Sequence, residues 1–307
     1  YLRHAPIERV YVPYPAVFVS FLLALLPERL RPKRLILDAF ISLYDTVCMD
    51  RQFVSPSHLL AKLLFRIERR AYQNSSVVVV DSEQNSEFFS RLFDLPSSKF
   101  MAVPLSTYEP VGPILAYSPI QPKEKYQVVF IGTLIPLHGI EVILGAMALL
   151  NDRTELTFKL IGNGQQADLV QVFINKFPDR LEWIKDWQSQ AQLIEAITEA
   201  DLCLGIFGNT AKMQRVCPLK IYSYSLCGRA VITAETDWMR AKFRNEKDAP
   251  FKLITQHSAA QLAEAIMQLV ANPEQIKRYA EASRLFYLKT LSNEQAMAQF
   301  RVILQGI

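Results

Sequence analysis

Cysteine is scarce in this chain and forms no pattern. The four thiols, Cys48, Cys203, Cys217 and Cys227, include no C-x-x-C pair, and Cys203 lies inside an apolar run. Neither a zinc site nor a disulfide framework is indicated, and no metal is expected, which fits a reducing, cytoplasmic setting. Charge is also sparse. Charged residues make up 21% of the chain and the net charge is +4, too weak to argue for nucleic acid and with no interleaving of aromatic and basic residues to change that. Such a balance suits small anionic ligands or a membrane surface. The apolar stretch from Ala16 to Leu26, AVFVSFLLALL, falls well short of the roughly 20 residues that cross a bilayer. It reads as a helix buried between two strands; with Arg29, Arg31, Lys33 and Arg34 behind it, the alternative is peripheral contact with anionic lipid at an inner membrane face. No internal repeat, low-complexity tract or signal-peptide pattern is present. Tyr1 stands where an initiator Met would, so the sequence is expected to begin within a longer protein.

What the chain does have is bulk and hydrophobicity. Its 307 residues, half of them hydrophobic, suffice for two folded domains. The stretch from Asp201 to Thr233, DLCLGIFGNTAKMQRVCPLKIYSYSLCGRAVIT, organises the second half. It reads as a buried strand (Leu202 to Phe207), a basic loop, a short helix opened by Pro218, a turn at Cys227-Gly228 and a second buried strand (Ala230 to Thr233). Such a loop leaves the carboxyl end of a strand, where open α/β sheets place ligands. Lys212, Arg215 and Lys220 fall in nine residues with no carboxylate among them, next to a helix N-terminus that already favours anions. Phosphate is the ligand class this suits; a solvated basic loop is the alternative.

In the first half, strands are predicted at Arg9 to Tyr14, Leu35 to Leu37, Val77 to Asp81 and Met101 to Pro104, separated by three helices. The second of these strands ends on Asp38 and feeds the long segment AFISLYDTVCMDRQFVSPS, whose length between packed elements suggests function. Prolines and polar residues from Glu109 to Lys125 mark a linker. A second βα series follows. Gly132 ends its first strand, Gly139 precedes a helix, and the stretch from Thr133 to His138 between them faces a phosphate by topology. Trp187 lies beyond a strand at Leu181 to Ile184, and ordinary packing is its simplest reading.

The pattern G-x-x-x-K-x-x-R-x-x-P-x-K, helix, G-R-A-V-I-T, together with VVFIGTLIPLHGIEVILGAMALL from Val128 and KLIGNG at Lys159 to Gly164, resembles the family 4 glycosyltransferases and their relatives with the GT-B fold. The resemblance covers nearly all of the chain after Tyr126. It implies two Rossmann-like, doubly wound parallel-sheet domains facing across a cleft. Residues 1–112 would form an acceptor-side domain lacking its opening strand, loop and helix, 113–125 a linker, 126–287 a nucleotide-sugar domain, and 288–307 a terminal helix returning to the first domain. The implied activity is retaining transfer of a hexose from a UDP- or GDP-linked donor to a hydroxyl of a surface-polysaccharide or lipid-linked acceptor, with the nucleotide sugar as co-substrate and no cofactor. Asp38 is then an acceptor-side carboxylate, unless it caps a turn or pairs with Arg51; Gly132, Thr133, His138, Lys212, Ser223 and Trp187 contact the donor, Trp187 by stacking on the base.

The sequence departs from this family in two places. Thr133 and His138 stand where the family has Arg and Lys on the donor diphosphate, so Lys212, Arg215 and Lys220 are expected to take over its neutralisation, with Lys220 and Arg215 acting in catalysis. Arg215 and Ser223 stand where the family has carboxylates for the sugar and ribose. A non-catalytic relative that binds a nucleotide or a partner is therefore a second reading. A nucleotide-sugar epimerase of similar fold is a third; it would need paired carboxylates and His, and only Asp38 and His138 offer themselves.

Overall fold

Short β-branched runs alternating with helices of amphipathic or wholly apolar pattern dictate parallel sheets covered by helices. The structure, a computed structural model, describes residues 8–110, 124–244 and 249–306. Most of the expected linker, residues 113–123, lies outside the described residues. The chain divides into two units, one of residues 1–105 with 296–307, the other of residues 106–295.

The first unit contains β1 (Arg9–Val12), α1 (Val17–Leu25), β2 (Arg34–Asp38), α2 (Leu59–Asn74), β3 (Val77–Val80), α3 (Glu83–Phe93) and β4 (Phe100–Ala102). Its four strands are parallel and lie in sequence order, with Ile36 opposite Val77 and Val78 opposite Phe100. Strand order never reverses, so right-handed crossovers put α1, α2 and α3 on the same side. There Leu35, Leu37, Val78 and Val80 pack with Tyr72, Phe89 and Phe93. The alternate side chains Ile36, Val77 and Val79 are covered instead by Phe300 and Ile303 of the last helix, Asn293–Gly306.

Two expectations for this unit need correction. Helix α1 is not buried between strands: it buries Val17, Ser20 and Ala24 and exposes Phe18, Val19, Leu22 and Leu25. It is apolar all round, so its sequence carries no period to show which face packs. The segment after β2 is also no plain loop, because Asp45–Asp50 closes a π-helical turn.

The second unit runs β5 (Tyr126–Ile131), α4 (Ile140–Leu149), β6 (Leu156–Ile161), α5 (Ala167–Lys176), β7 (Leu181–Ile184), α6 (Gln190–Glu199), β8 (Leu202–Leu204), α7 (Leu219–Leu226), β9 (Ala230–Ala234), α8 (Asp237–Phe243), β10 (Lys252–Ile254), α9 (Ala259–Val270) and α10 (Pro273–Phe286), and the last helix is α11. Its six parallel strands are ordered β10-β9-β8-β5-β6-β7, so the winding reverses between β5 and β8. Strand β8 is shorter than read, and just beyond it the Thr233 hydroxyl accepts from the Ile206 N–H at 3.2 Å. Ser189 and Gln192 form a capping box on α6. Two buried or half-buried arginines close helix C-termini, where free carbonyls favour a cation. Arg229 donates to the Ile197 carbonyl at 3.1 Å and to that of Thr198, and Arg284 donates to the Leu226 carbonyl.

Candidate functional site

The reversal between β5 and β8 leaves a crevice at the carboxyl ends of these strands, the position where a doubly wound sheet can admit a ligand. Three loops meet there through glycine. A side chain on Gly139 would collide with the Phe207 and Gly208 backbone, its Cβ falling 2.5 Å from the Gly208 nitrogen, and Gly139 itself is left-handed at φ +68°. The His138 carbonyl accepts from the Phe207 N–H at 3.1 Å. Beyond β6, Gly162 lies against Gly132, and the Leu134 N–H donates to the Asn163 carbonyl at 3.0 Å. The backbone is thus held close and fixed from three sides.

Lys220, in the first turn of α7 behind its Pro218 cap, reaches into this crevice. Its ammonium lies 3.8 Å from the centre of the Phe130 ring, and a Cβ on Gly132 would come within 2.7 Å of its Nζ. Glycine at 132 is what leaves the room. The residue is 9% exposed, and its Nζ has no hydrogen-bond partner among the described residues. Burial therefore pushes its pKa well below the ordinary lysine value. An ammonium held over an aromatic face keeps some favourable interaction, but much less than water would provide.

Of the expected donor residues, Gly132, Thr133, His138 and Lys220 are brought together. The His138 Nδ1–H donates to the Thr133 carbonyl, and the imidazole meets Phe130 edge to face at 5.8 Å. Lys212 and Arg215 lie on the short 3-10 helix Ala211–Arg215, which Thr210 caps by accepting the Met213 N–H; Arg215 is buried and Lys212 half-buried. Ser223, one turn beyond Lys220 on α7, shares a 3.1 Å hydrogen bond with Thr107, whose backbone is held by Asn293. Trp187 is 85% exposed, so it is not packed in the core.

The first unit has its own candidate. Asp38, at the carboxyl end of β2, accepts the Tyr11 hydroxyl at 2.9 Å and the Phe40 N–H at 3.0 Å, the second of which closes the turn considered for it. Further along the segment that follows β2, a cavity of about 470 Å³ is lined by Cys48, Met49, Gln52, Ser55 and Pro56; Asp38 is not among its lining residues. The residue that shapes this segment is Glu68, which sequence reasoning passed over. Its carboxylate, fully buried, accepts from the Ser42 hydroxyl at 2.7 Å, the Leu43 N–H at 2.7 Å, the Tyr44 N–H at 3.0 Å and the Tyr72 hydroxyl at 3.4 Å. Burial raises its pKa while these donors lower it, and burial prevails. The signal was available: Ala61, Glu68 and Tyr72 share one buried stripe of α2, and Glu68 is the lone acid on it.

Two parallel-sheet α/β units, the second switched between β5 and β8, are the GT-B fold of glycosyltransferases. The structure is similar to HepE from Anabaena in complex with UDP-glucose, with a TM-score of 0.72 at 16% identity over 98% of this chain and 79% of that one. It is similar also to sucrose-phosphate synthase from Thermosynechococcus elongatus, with a TM-score of 0.72 at 15% identity over 97% and 73%. WaaG, a glycosyltransferase involved in lipopolysaccharide biosynthesis, follows with a TM-score of 0.65 at 13% identity over 86% and 76%. At these identities the likeness is one of fold. Residues 125–272, just under half of the chain, match the model of the family described as Glycosyl transferases group 1. The chain therefore resembles the GT-B glycosyltransferases in sequence pattern and in architecture. No curated protein sequence matches it.

Proposed function

We propose that the protein is a retaining, metal-independent glycosyltransferase that moves a hexose from a UDP- or GDP-linked donor to a hydroxyl of a surface-polysaccharide or lipid-linked acceptor, working in the cytoplasm at the inner membrane face. The observation that carries this reading is the buried amine of Lys220 at the switch point of the second sheet, whose Nζ has no hydrogen-bond partner among the described residues. A buried cation lacking an anion is costly, and the cost is recovered when a diphosphate arrives. As the bond between the sugar carbon and the phosphate oxygen breaks, both bonding electrons go to that oxygen. A fixed ammonium beside it then stabilises the transition state more than the bound donor, the condition for raising turnover. Lys212 and Arg215 supply further positive charge from the neighbouring loop. Thr133 and His138 are assigned to the phosphate oxygens, Ser223 to the sugar or ribose, Trp187 to the base and Asp38 to the acceptor hydroxyl.

Calorimetric titration with UDP, GDP, ADP and TDP tests the reading. Micromolar binding of one diphosphate that is lost in Lys220→Ala is the expected result. A folded chain that binds none of the four would overturn it. A specific observation favours a second reading, a non-catalytic nucleotide-binding or partner-binding subunit: Arg215 and Ser223 occupy the places of the family's carboxylates, and the Ser223 hydroxyl is engaged by Thr107. Diphosphate binding without any hydrolysis or transfer of the matching nucleotide sugar would decide for that subunit.

A further inference from the structure

The exposed surface that most needs a partner lies in the first unit, on the side of its sheet that carries α1 and α2. Helix α1 packs along α2, with the Ser20 hydroxyl bonded to the Ala71 carbonyl at 3.1 Å and to the Ser75 hydroxyl at 3.2 Å. Its opposite stripe is Phe18, Leu22 and Leu25 at helical spacing, with Val19 beside it. Leu22 is 60% and Leu25 62% exposed. The outward stripe of α2 begins apolar, with Leu59 at 78% exposure and Leu63 at 53%, and turns basic through Lys62, Arg66 and Arg70. Phe18, Val19, Leu22 and Leu25 form one exposed apolar stripe of α1, and apolar exposure on this scale marks a contact surface rather than chance exposure.

Charge identifies what the surface meets. After α1 the chain carries Arg29, Arg31, Lys33 and Arg34, and the Arg31 Nε donates to the Leu26 carbonyl at 2.8 Å, which pins the basic segment to the end of the apolar stripe. The exposed cations of α2 run alongside. Against them the same segments hold only two acids, Glu28 and the buried Glu68, and Glu8 beside them pairs with Lys33 at 3.7 Å, which leaves the arginines in excess. A protein partner with a matching apolar patch would not need so one-sided a rim, whereas an anionic bilayer surface requires both parts: apolar side chains that enter the acyl boundary and cations beside them at the headgroups.

We infer that the outward face of α1 and the first turns of α2 form a shallow membrane-docking surface for anionic phospholipid. Phe18, Val19, Leu22, Leu25, Leu59 and Leu63 enter the interface, while Lys62, Arg66, Arg70 and the basic segment 29–34 contact the headgroups. No helix among the described residues is long and apolar enough to cross a membrane, so contact of this kind stays at the surface. The inference supplies a surface for the inner-face location in the proposed function, yet it stands on different residues from the diphosphate site.

Co-sedimentation of the chain with vesicles tests it, comparing phosphatidylcholine alone with equal parts phosphatidylcholine and phosphatidylglycerol. Binding to the mixed vesicles, weak binding to the neutral ones and loss on raising salt are expected. The double variant Leu22→Glu with Leu25→Glu should weaken partitioning at least about tenfold, a change equivalent to about 1.4 kcal/mol. Since these side chains are already in water, the variant should fold, and an unchanged circular dichroism melt confirms that it does. A second variant, Lys62→Gln with Arg66→Gln, should lose roughly fivefold per cation on the anionic vesicles only. Equal binding to both vesicle types, or parent-like binding by the glutamate variant, would overturn the inference. So would a concentration-dependent dimer that the glutamate variant abolishes, since a second copy of the chain would then cover the face. Diphosphate titration of the same variants separates this outcome from failure of the transferase reading.

Discussion

Lys220 and Glu68 are both buried charged side chains, and their surroundings differ in kind. Glu68 accepts four hydrogen bonds in the first unit, two of them from backbone N–H groups that open the segment after β2. Lys220 has none on its Nζ among the described residues, and an aromatic ring and a glycine for neighbours. Desolvation dominates the pKa of each, upward for the acid and downward for the base. The satisfied charge does structural work, fixing where the chain turns after β2. The Lys220 amine, with no hydrogen-bond partner among the described residues and only the Phe130 ring to offset its burial, is a net cost to the folded protein, and the proposed function assigns that cost to ligand binding.

The largest expected effect tests the ligand half of this contrast. Lys220→Ala should lower kcat by about 100-fold to 1,000-fold, the range found when one preorganised donor to a developing oxyanion is removed. Donor affinity should fall by less. Steady-state kinetics with the sugar nucleotide identified by calorimetry would measure both, and an unchanged kcat would remove Lys220 from the mechanism.

The structural half predicts a loss of stability without a direct loss of donor binding. Glu68→Ala leaves the part-buried Leu43 and Tyr44 N–H groups without their acceptor, at about 3 kcal/mol in total. The melting temperature should fall by roughly 6–12 °C, on a scale of about 2–4 °C per kcal/mol for a chain of this size class. Diphosphate binding to the second unit should remain. A melt within a degree of the parent would show that Glu68 is not what holds the segment.

The contrast also explains what could be read from the sequence. Alternation of β-branched runs with helices made the strands legible, and the strand end at Gly132 and the cation cluster holding Lys220 could each be read, though not that the two would meet. Caps were legible because Ser258 with Gln261, or Ser292 with Gln295, are local chemistry, and the structure has both bonds. The packed face of α1 was not legible, because VFVSFLLAL is apolar on every side. Helix α10 was passed over as well, although Asn272 and Pro273 open it. Its sequence, PEQIKRYAEASRLF, is mostly polar, and its buried stripe Ile276, Ala280, Ser283 and Phe286, though at helical spacing, carries only two large apolar side chains. Glu68 was hidden by long-range geometry: nothing near it in sequence says that the N–H groups of Leu43 and Tyr44 will face it.

The smallest effect sharpens the contrast most, because it should have opposite sign to the Glu68 variant. Lys220→Met keeps the length of the side chain and its contact with Phe130 while removing the buried amine. It should stabilise the ligand-free protein by about 1 kcal/mol at neutral pH, within the range for relieving a buried unsatisfied polar group. The sign with pH follows from linkage. The folded pKa of Lys220 lies below the ordinary value of 10.5 that it regains on unfolding. Between these two values the unfolded chain binds more protons, so the parent gains stability as pH rises through that window. Methionine does not titrate. The advantage of the variant should therefore be largest at the low-pH end, shrink as pH climbs towards 10.5 and level off beyond it. Thermal melts of parent and variant across that range read the difference directly, and adding the bound diphosphate should reverse it by stabilising the parent alone. A variant that melts below the parent at every pH, without ligand, would mean that the Lys220 amine has a stabilising structural partner and that the two buried charges are alike.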